Sequence, residues 1–121
     1  MGGDLAPGLE GRRERAVDDQ LVTRHVGGMG VLSTPAMIGL MELTCLKSVQ
    51  DHLPEGSTTV GYEVCVRHLA PSRHGTTVVV TSRLTEVQGR KLLFEVACHD
   101  GGRLVGEGTH RRAIVSSSQG G

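Results

Sequence analysis

The feature that most constrains the fold of this chain is a segment, residues 34–52, that predicts a helix with almost no polar face. Thr34 followed by Pro35 is typical of a helix start, because a hydroxyl can cap free N–H groups and proline is tolerated in the first turn. The helix is expected to end near His52, before Pro54. Its first turns carry a nearly continuous set of apolar side chains: Ala36, Met37, Ile38, Leu40, Met41, Leu43, Cys45, Leu46 and Val49. A helix that is apolar all round has to be buried, so the rest of the chain must cover it.

The residues after this helix predict strands. Four segments are rich in alternating apolar and polar residues and are separated by short turns with glycine or proline: 59–70, 76–87, 91–99 and 103–115. This spacing favours a four-stranded antiparallel meander. Residues 20–26 alternate weakly and add a possible short first strand.

One helix without a polar face requires a curved sheet around it, which is the α+β geometry of the hotdog fold. Such a sheet leaves one edge open, and pairing of two copies would close it, so we expect a homodimer and leave a tetramer open. The 121 residues suffice for one domain and not for two. We expect that domain over 20–115, with a flexible N-terminal arm at 1–19 and a flexible tail at 116–121.

Composition argues against several classes of function. Lys plus Arg and Asp plus Glu each number 13, and the only aromatic residues are Tyr62 and Phe94, which disfavours nucleic-acid binding. No apolar run is long enough for a membrane span and no signal peptide is recognisable, so we expect a cytoplasmic protein with no membrane partner.

We expect the three cysteines to be reduced. Without a phosphate loop or dinucleotide fingerprint we expect no cofactor. We also expect no metal, because Cys65 and His68, three apart on a strand, point to opposite faces.

Glu42 stands out because it places a carboxylate in the middle of the apolar helix. A charged carboxylate that is buried without a partner costs several kcal/mol. Either a basic residue from a strand pairs with it, or its face opens to a groove between subunits, or it is a functional carboxylate.

Two further residues are candidates for chemistry. Thr34 is explained as a helix cap, but its hydroxyl also suits a hydrogen bond to Glu42, which falls on a nearby side of the helix. His68 shares its strand parity with Val64 and Val66, on the face that should look at the helix. It is either a satisfied core histidine or the imidazole of a carboxylate–imidazole pair with Glu42.

Gly61 and one of two arginines complete the candidates. Strand parity puts Gly61 on the face opposite to His68, where it marks a bulge or a point at which a ligand approaches the backbone N–H. Arg111 and Arg112 are adjacent, so only one faces inward, and parity does not decide which. The other histidines, His25, His52, His74, His99 and His110, are expected to lie mostly at the surface.

Three segments resemble motifs of the fluoroacetyl-CoA thioesterase family of single-domain hotdog proteins. Residues 32–42 (LSTPAMIGLME) resemble its central-helix motif, residues 59–61 and 64–71 (TVG and VCVRHLAP) its second motif, and residues 106–113 (GEGTHRRA) its last strand. The likeness spans about 22–115.

The resemblance implies hydrolysis of an acyl-CoA, or of an acyl-carrier thioester, by a homodimer. It implies that Thr34, Glu42 and His68 are catalytic and that Gly61 and Arg112, rather than Arg111, contact the acyl group. One departure concerns substrate choice. The family's fluoroacetyl-CoA enzyme has a longer segment with a phenylalanine lid before the helix, whereas Gly27, Gly28 and Gly30 occupy this region here. A different small or medium acyl group is therefore expected. The alternatives are a hotdog protein that binds an acyl thioester or small ligand without turnover, and a hotdog hydratase or dehydratase.

Overall fold

The computed structural model describes residues 5–117. Its elements in chain order are β1 (Glu10–Ala16), β2 (Val22–Thr23), β3 (Val31–Leu32), α1 (Thr34–Gln50), β4 (Ser57–His68), β5 (Thr77–Gln88), β6 (Lys91–Asp100) and β7 (Arg103–Ser116).

A five-stranded antiparallel sheet in the order β1-β5-β6-β7-β4 packs around α1, and β2 and β3 form a separate hairpin. The predicted α+β hotdog fold is confirmed. The predicted four-stranded meander is wrong in one connection. Strands β5, β6 and β7 do form a meander, but β4 pairs with β7 and not with the strand that follows it in sequence. As a result β4 is an edge strand.

The predicted N-terminal arm at 1–19 is wrong for residues 10–16, which form strand β1 and pair with β5 from Glu10↔Arg83 to Ala16↔Thr77. The strand escaped recognition because it has almost no apolar side chains. Gly11 faces the helix, where a Cβ would lie 2.9 Å from the Thr44 carbonyl oxygen, so the backbone itself packs there. The predicted tail begins too early, since Ser116 ends β7. The rest of the predicted flexible ends, 1–4 and 118–121, lies outside the described residues.

The core lies between one side of α1 and the inner face of the sheet. The helix contributes Met37, Met41, Cys45 and Val49, and the sheet contributes Val78, Val80, Leu84, Leu92, Phe94, Cys98 and Val105. The expectation that the helix is buried all round is not met within one chain. Ile38, Leu43 and Leu46 on the other side of the helix are only partly buried, and Gly39 is exposed.

The edge strand β4 also exposes apolar side chains. Val60, Tyr62 and Val64 are 47%, 48% and 38% exposed. An open sheet edge with exposed apolar residues is a surface that another strand can pair with.

Within residues 5–117, no helix has the length and hydropathy that a membrane span requires.

Candidate active site

The first turn of α1 sets up the first group of candidate side chains. Ser33 is the helix cap, because its Oγ accepts a hydrogen bond of 3.1 Å from the backbone N–H of Ala36. The expectation that Thr34 caps the helix is therefore wrong by one residue. Relieved of that role, the Thr34 hydroxyl lies 2.8 Å from Nδ1 of His68 and forms a hydrogen bond with it.

His68 reaches Thr34 from the end of β4, where it pairs with Gly106 of β7. Gly106 faces the helix at this pairing, since a Cβ on it would lie 2.5 Å from the sulfur of Met37. Burial lowers the pKa of His68, partly offset by the backbone of Ala70, so the ring is neutral at neutral pH. Its Nε2 is buried without a hydrogen-bond partner in the described part of the chain.

A cavity of about 570 Å³ opens beside the Thr34–His68 pair. It lies between the start of α1, the end of β4 and the β2–β3 hairpin, and the hairpin contributes His25, Val26 and Val31. The pair therefore combines a hydroxyl and a neutral imidazole at a space of ligand size.

A second group of polar side chains lies further along α1, where Glu42 faces the beginning of β4. Oε2 of Glu42 is 4.0 Å from Nε2 of His110, and a Cβ on Gly61 would lie 2.9 Å from the same oxygen. Gly61 therefore leaves the room in which the carboxylate sits. The side chain of Glu42 is 42% exposed, so it is not buried as the apolar helix suggested.

A β-bulge explains why Gly61 shares a face with this group. The register of β4 against β7 shifts between Gly61 and Glu63, which reverses the alternation beyond that point. Gly61 pairs with Arg112 and His68 pairs with Gly106, and both look toward the helix. The predicted placement of Gly61 and His68 on opposite faces is wrong for this reason.

Arg112, and not Arg111, faces inward. The residue is 6% exposed, and its guanidinium donates from Nε to Oγ1 of Thr59 (2.7 Å) and from Nη2 to the Thr59 carbonyl (2.8 Å). Desolvation lowers the pKa of Arg112, partly offset by Cys45 and Glu42. Arg111 points outward and forms an ion pair with Glu63 at 2.9 Å.

His110 is the functional candidate that sequence reasoning missed. It is 1% exposed, hydrogen-bonded through Nδ1 to the Glu63 carbonyl and through Nε2 to Arg112. The signal was present, since His110 and Arg112 are two residues apart on one strand and therefore share a face. Once Arg112 is assigned inward, His110 follows.

The predicted carboxylate–imidazole pair between Glu42 and His68 does not form within one chain. His68 is hydrogen-bonded to Thr34, and no hydrogen bond or ion pair in residues 5–117 joins Glu42 to either of them. Thr34 and Glu42 are also too far apart for the predicted hydrogen bond, since eight residues of helix rise about 12 Å.

One helix wrapped by a curved antiparallel sheet defines a hotdog protein, and here a hydroxyl and a carboxylate on the helix and an imidazole on β4 face the space between them. The model of the family described as fluoroacetyl-CoA-specific thioesterase matches residues 16–118, and this chain belongs to that family.

Individual relatives agree with the family assignment. A curated fluoroacetyl-CoA thioesterase of Streptantibioticus cattleyicolor is 41% identical over 85 residues, which are 70% of this chain and 61% of that protein. The chain thus matches less than two thirds of that relative's length. A solved structure of a fluoroacetyl-CoA thioesterase is 31% identical with a TM-score of 0.88, covering 97% of this chain and 93% of the other. A thioesterase superfamily member from Thermus thermophilus is 28% identical with a TM-score of 0.85, covering 94% and 86%.

Proposed function

We propose that this protein hydrolyses acyl-CoA thioesters to a free acid and a thiol. The observation that carries the proposal is the hydrogen bond between Thr34 and His68 beside a cavity of about 570 Å³. The family assignment supports it, as does a solved mutant of the related fluoroacetyl-CoA-specific enzyme in complex with fluoroacetate and CoA, 31% identical and with a TM-score of 0.87.

The catalytic residues in this proposal are Glu42, His68 and Thr34. Glu42 is the nucleophile or general base, His68 moves protons, and Thr34 orients the His68 ring through its Nδ1. Gly61 and Arg112 contact the acyl group. This assignment is supported by the position of Glu42 against Gly61 and by the neutral ring of His68.

We further propose that the site is completed by a homodimer, with Thr34 and His68 from one subunit and Glu42 from the other. Strand β4 has a free edge with exposed Val60, Tyr62 and Val64, and the open side of α1 carries partly buried apolar residues. Antiparallel pairing of two β4 strands about a two-fold axis near their middle sets the Gly61 end of one strand beside the His68 end of the other. Such pairing buries both surfaces and brings Glu42 of one subunit toward His68 of its partner.

Two routes lead to hydrolysis. In the first, a Glu42 carboxylate oxygen attacks the thioester carbonyl carbon and the C–S bond breaks. The thiolate leaves, and the acyl group remains bound to Glu42 as a mixed anhydride. Water then attacks the acyl carbon of the anhydride while neutral His68 accepts a proton from that water, and the proton passes to the thiolate.

In the second route, Glu42 removes a proton from water, the oxygen of that water attacks the carbonyl carbon, and the C–S bond breaks. The proton reaches the sulfur by way of His68. In both routes the backbone N–H of Gly61 is suited to stabilise the developing oxyanion.

The acyl group is proposed to be small or medium-sized and not restricted to a fluorinated chain. The loop before β3 contains Gly27, Gly28 and Gly30, all with positive φ, and no aromatic side chain to cover the cavity. The thiol is that of CoA or of an acyl-carrier protein. The three cysteines are free, which supports the expected cytoplasmic location.

The test is a hydrolysis screen over short, branched and aromatic acyl-CoAs with detection of the released thiol. We expect turnover of at least one acyl-CoA, with loss of activity in Glu42→Gln and in His68→Ala. Saturable binding without turnover, indifferent to Glu42→Gln, would instead identify a binding protein. Addition of water to an enoyl-CoA would identify a hydratase.

A further inference from the structure

We propose that His110 is a positioning residue, whose neutral Nε2 holds the Arg112 guanidinium in place and keeps it from forming an ion pair with Glu42. The inference deepens the proposed function and rests on it for its kinetic readout. His110 itself does not touch the reacting atoms.

The hydrogen bonds of His110 fix its tautomer. Nδ1 lies 2.8 Å from the carbonyl oxygen of Glu63, and a carbonyl can only accept, so Nδ1 carries the proton. In a neutral ring Nε2 is then an acceptor, and it accepts from Nη1 of Arg112 at 3.1 Å. Burial keeps the ring neutral, since it lowers the pKa of His110, and the charge of Arg112 acts in the same direction. The Glu63 carbonyl and Glu42 oppose that shift.

The β-bulge beside Gly61 supplies this anchor. The register shift between Gly61 and Glu63 lies where β4 passes His110, and the Glu63 carbonyl there meets Nδ1 of the ring. Phe94 supports the ring from β6, with ring centroids 6.4 Å apart and planes inclined by 29°. The imidazole is therefore held on two sides before any ligand arrives.

Arg112 needs such a neutral acceptor. A guanidinium has five N–H groups, and in Arg112 three of them are used by Thr59 Oγ1, the Thr59 carbonyl and His110 Nε2. The Glu42 carboxylate acts electrostatically on Arg112, and its Oε2 lies 4.0 Å from the same Nε2 of His110. No ion pair between Arg112 and Glu42 occurs in the described residues, although their opposite charges attract each other.

Loss of the acceptor would release Nη1 toward Glu42. A carboxylate that is paired with a guanidinium is a weaker nucleophile and a weaker base, because the pair stabilises its charged ground state. The expected consequence is a lower kcat, with a smaller effect on KM.

The experiment compares His110→Gln with His110→Leu in the full-length protein. Glutamine keeps an amide oxygen that can accept from Arg112, whereas leucine fills similar space against Phe94 but accepts nothing. We expect His110→Gln to keep kcat within about threefold of the parent, and His110→Leu to lose about tenfold or more in kcat. The control is His99→Leu, the same change on the neighbouring strand β6, which is expected to leave kcat unchanged.

A role of His110 in apolar packing alone predicts the opposite order, because leucine preserves such packing better than glutamine does. Wild-type kcat in a folded His110→Leu, or equal losses in both variants, would overturn the proposal.

Nuclear magnetic resonance of ¹⁵N-labelled protein separates this inference from the proposed function. We expect the ¹⁵N shifts of His110 to identify the neutral ring with the proton on Nδ1. We also expect Glu42→Gln to shift the Arg112 guanidinium signals in a His110→Leu background and not in the parent. An Nε2-protonated ring would refute the inference whether or not the protein hydrolyses any acyl-CoA, whereas absence of turnover with the expected spectra would refute only the proposed function.

Discussion

The hydroxyl of Thr34 lies 2.8 Å from Nδ1 of His68, and it is available for that contact because the preceding residue, Ser33, caps the helix. Two adjacent hydroxyl residues thus have separate tasks. One satisfies the backbone at the start of α1, and the other reaches across to the end of β4.

This division predicts opposite phenotypes for two neighbouring substitutions. Ser33→Ala removes the acceptor for the Ala36 N–H and should lower the free energy of unfolding by about 1 kcal/mol, while activity at low temperature persists. Thr34→Ala leaves the cap intact and should reduce kcat by about tenfold or more with a small change in stability. Urea unfolding and steady-state kinetics on both variants measure the two effects. Equal losses of stability and of activity in the two proteins would contradict the division.

A site shared between subunits predicts complementation. Glu42→Gln and His68→Ala are each expected to be inactive as homodimers. In a mixed dimer, one of the two sites combines Thr34 and His68 of the Glu42→Gln chain with Glu42 of the other chain, and is therefore intact. Random mixing makes half of the dimers mixed, so about a quarter of wild-type activity should return.

The mixture is prepared by unfolding and refolding the two variants together, and the matched control refolds each variant alone. Activity of the refolded mixture no higher than that of the separate variants would mean that each site is built within a single chain.

The interface itself is tested at the exposed edge of β4. Tyr62→Lys places two identical charges beside the proposed two-fold axis, where they repel and lose apolar contact, so sedimentation should show a monomer. Glu86→Lys introduces the same side chain on β5, away from that edge, and is expected to leave the dimer intact. A dimer that persists in Tyr62→Lys would mean that the subunits associate through a surface other than the β4 edge.

Gly61→Ala probes the space around Glu42. A Cβ at this position would lie 2.8 Å from Cε1 of His110 and 2.9 Å from Oε2 of Glu42. The buried ring cannot retreat, so the half-exposed carboxylate must move, and activity should fall by about a hundredfold because 1 Å of misplacement has effects of that size. Gly102→Ala in the β6–β7 turn meets nothing within 4 Å and should behave as wild type. Full activity in Gly61→Ala would mean that the position of the Glu42 carboxylate does not matter.

The elements predicted best from the sequence are the strands in which buried apolar residues alternate with more exposed polar ones. The ends of β5 and β6 agree with their predicted ranges within one residue, because buried Val, Leu and Phe alternate with polar residues along both strands. Strand β1 was missed because its inner positions are Gly11, Arg13 and Arg15, and glycine and arginine are not typical of a buried face.

The sequence suggests candidate side chains but not their contacts. The helical angle alone places Thr34 near Glu42, and it ignores the rise of about 12 Å between them. The bulge after Gly61 carries no unambiguous local signal, and it alone decides which side of β4 faces the helix. Contacts between subunits lie beyond what a pattern within one chain can specify.

The two inward histidines predict how stability depends on pH. Burial lowers the pKa of both His68 and His110 below the ordinary value of 6.5, so below that pH the unfolded chain binds more protons than the folded one. The free energy of unfolding should therefore be independent of these groups above pH 6.5 and decrease as the pH falls below it. Urea unfolding at about pH 7.5 and about pH 5.0, at one fixed protein concentration, measures how much the free energy of unfolding decreases on acidification.

His110→Leu removes one of the two groups and should lose less stability over this interval than the parent does. His99→Leu serves as the control for removal of a histidine as such, and an equal loss of stability in His110→Leu and the parent would assign the acid sensitivity to other groups.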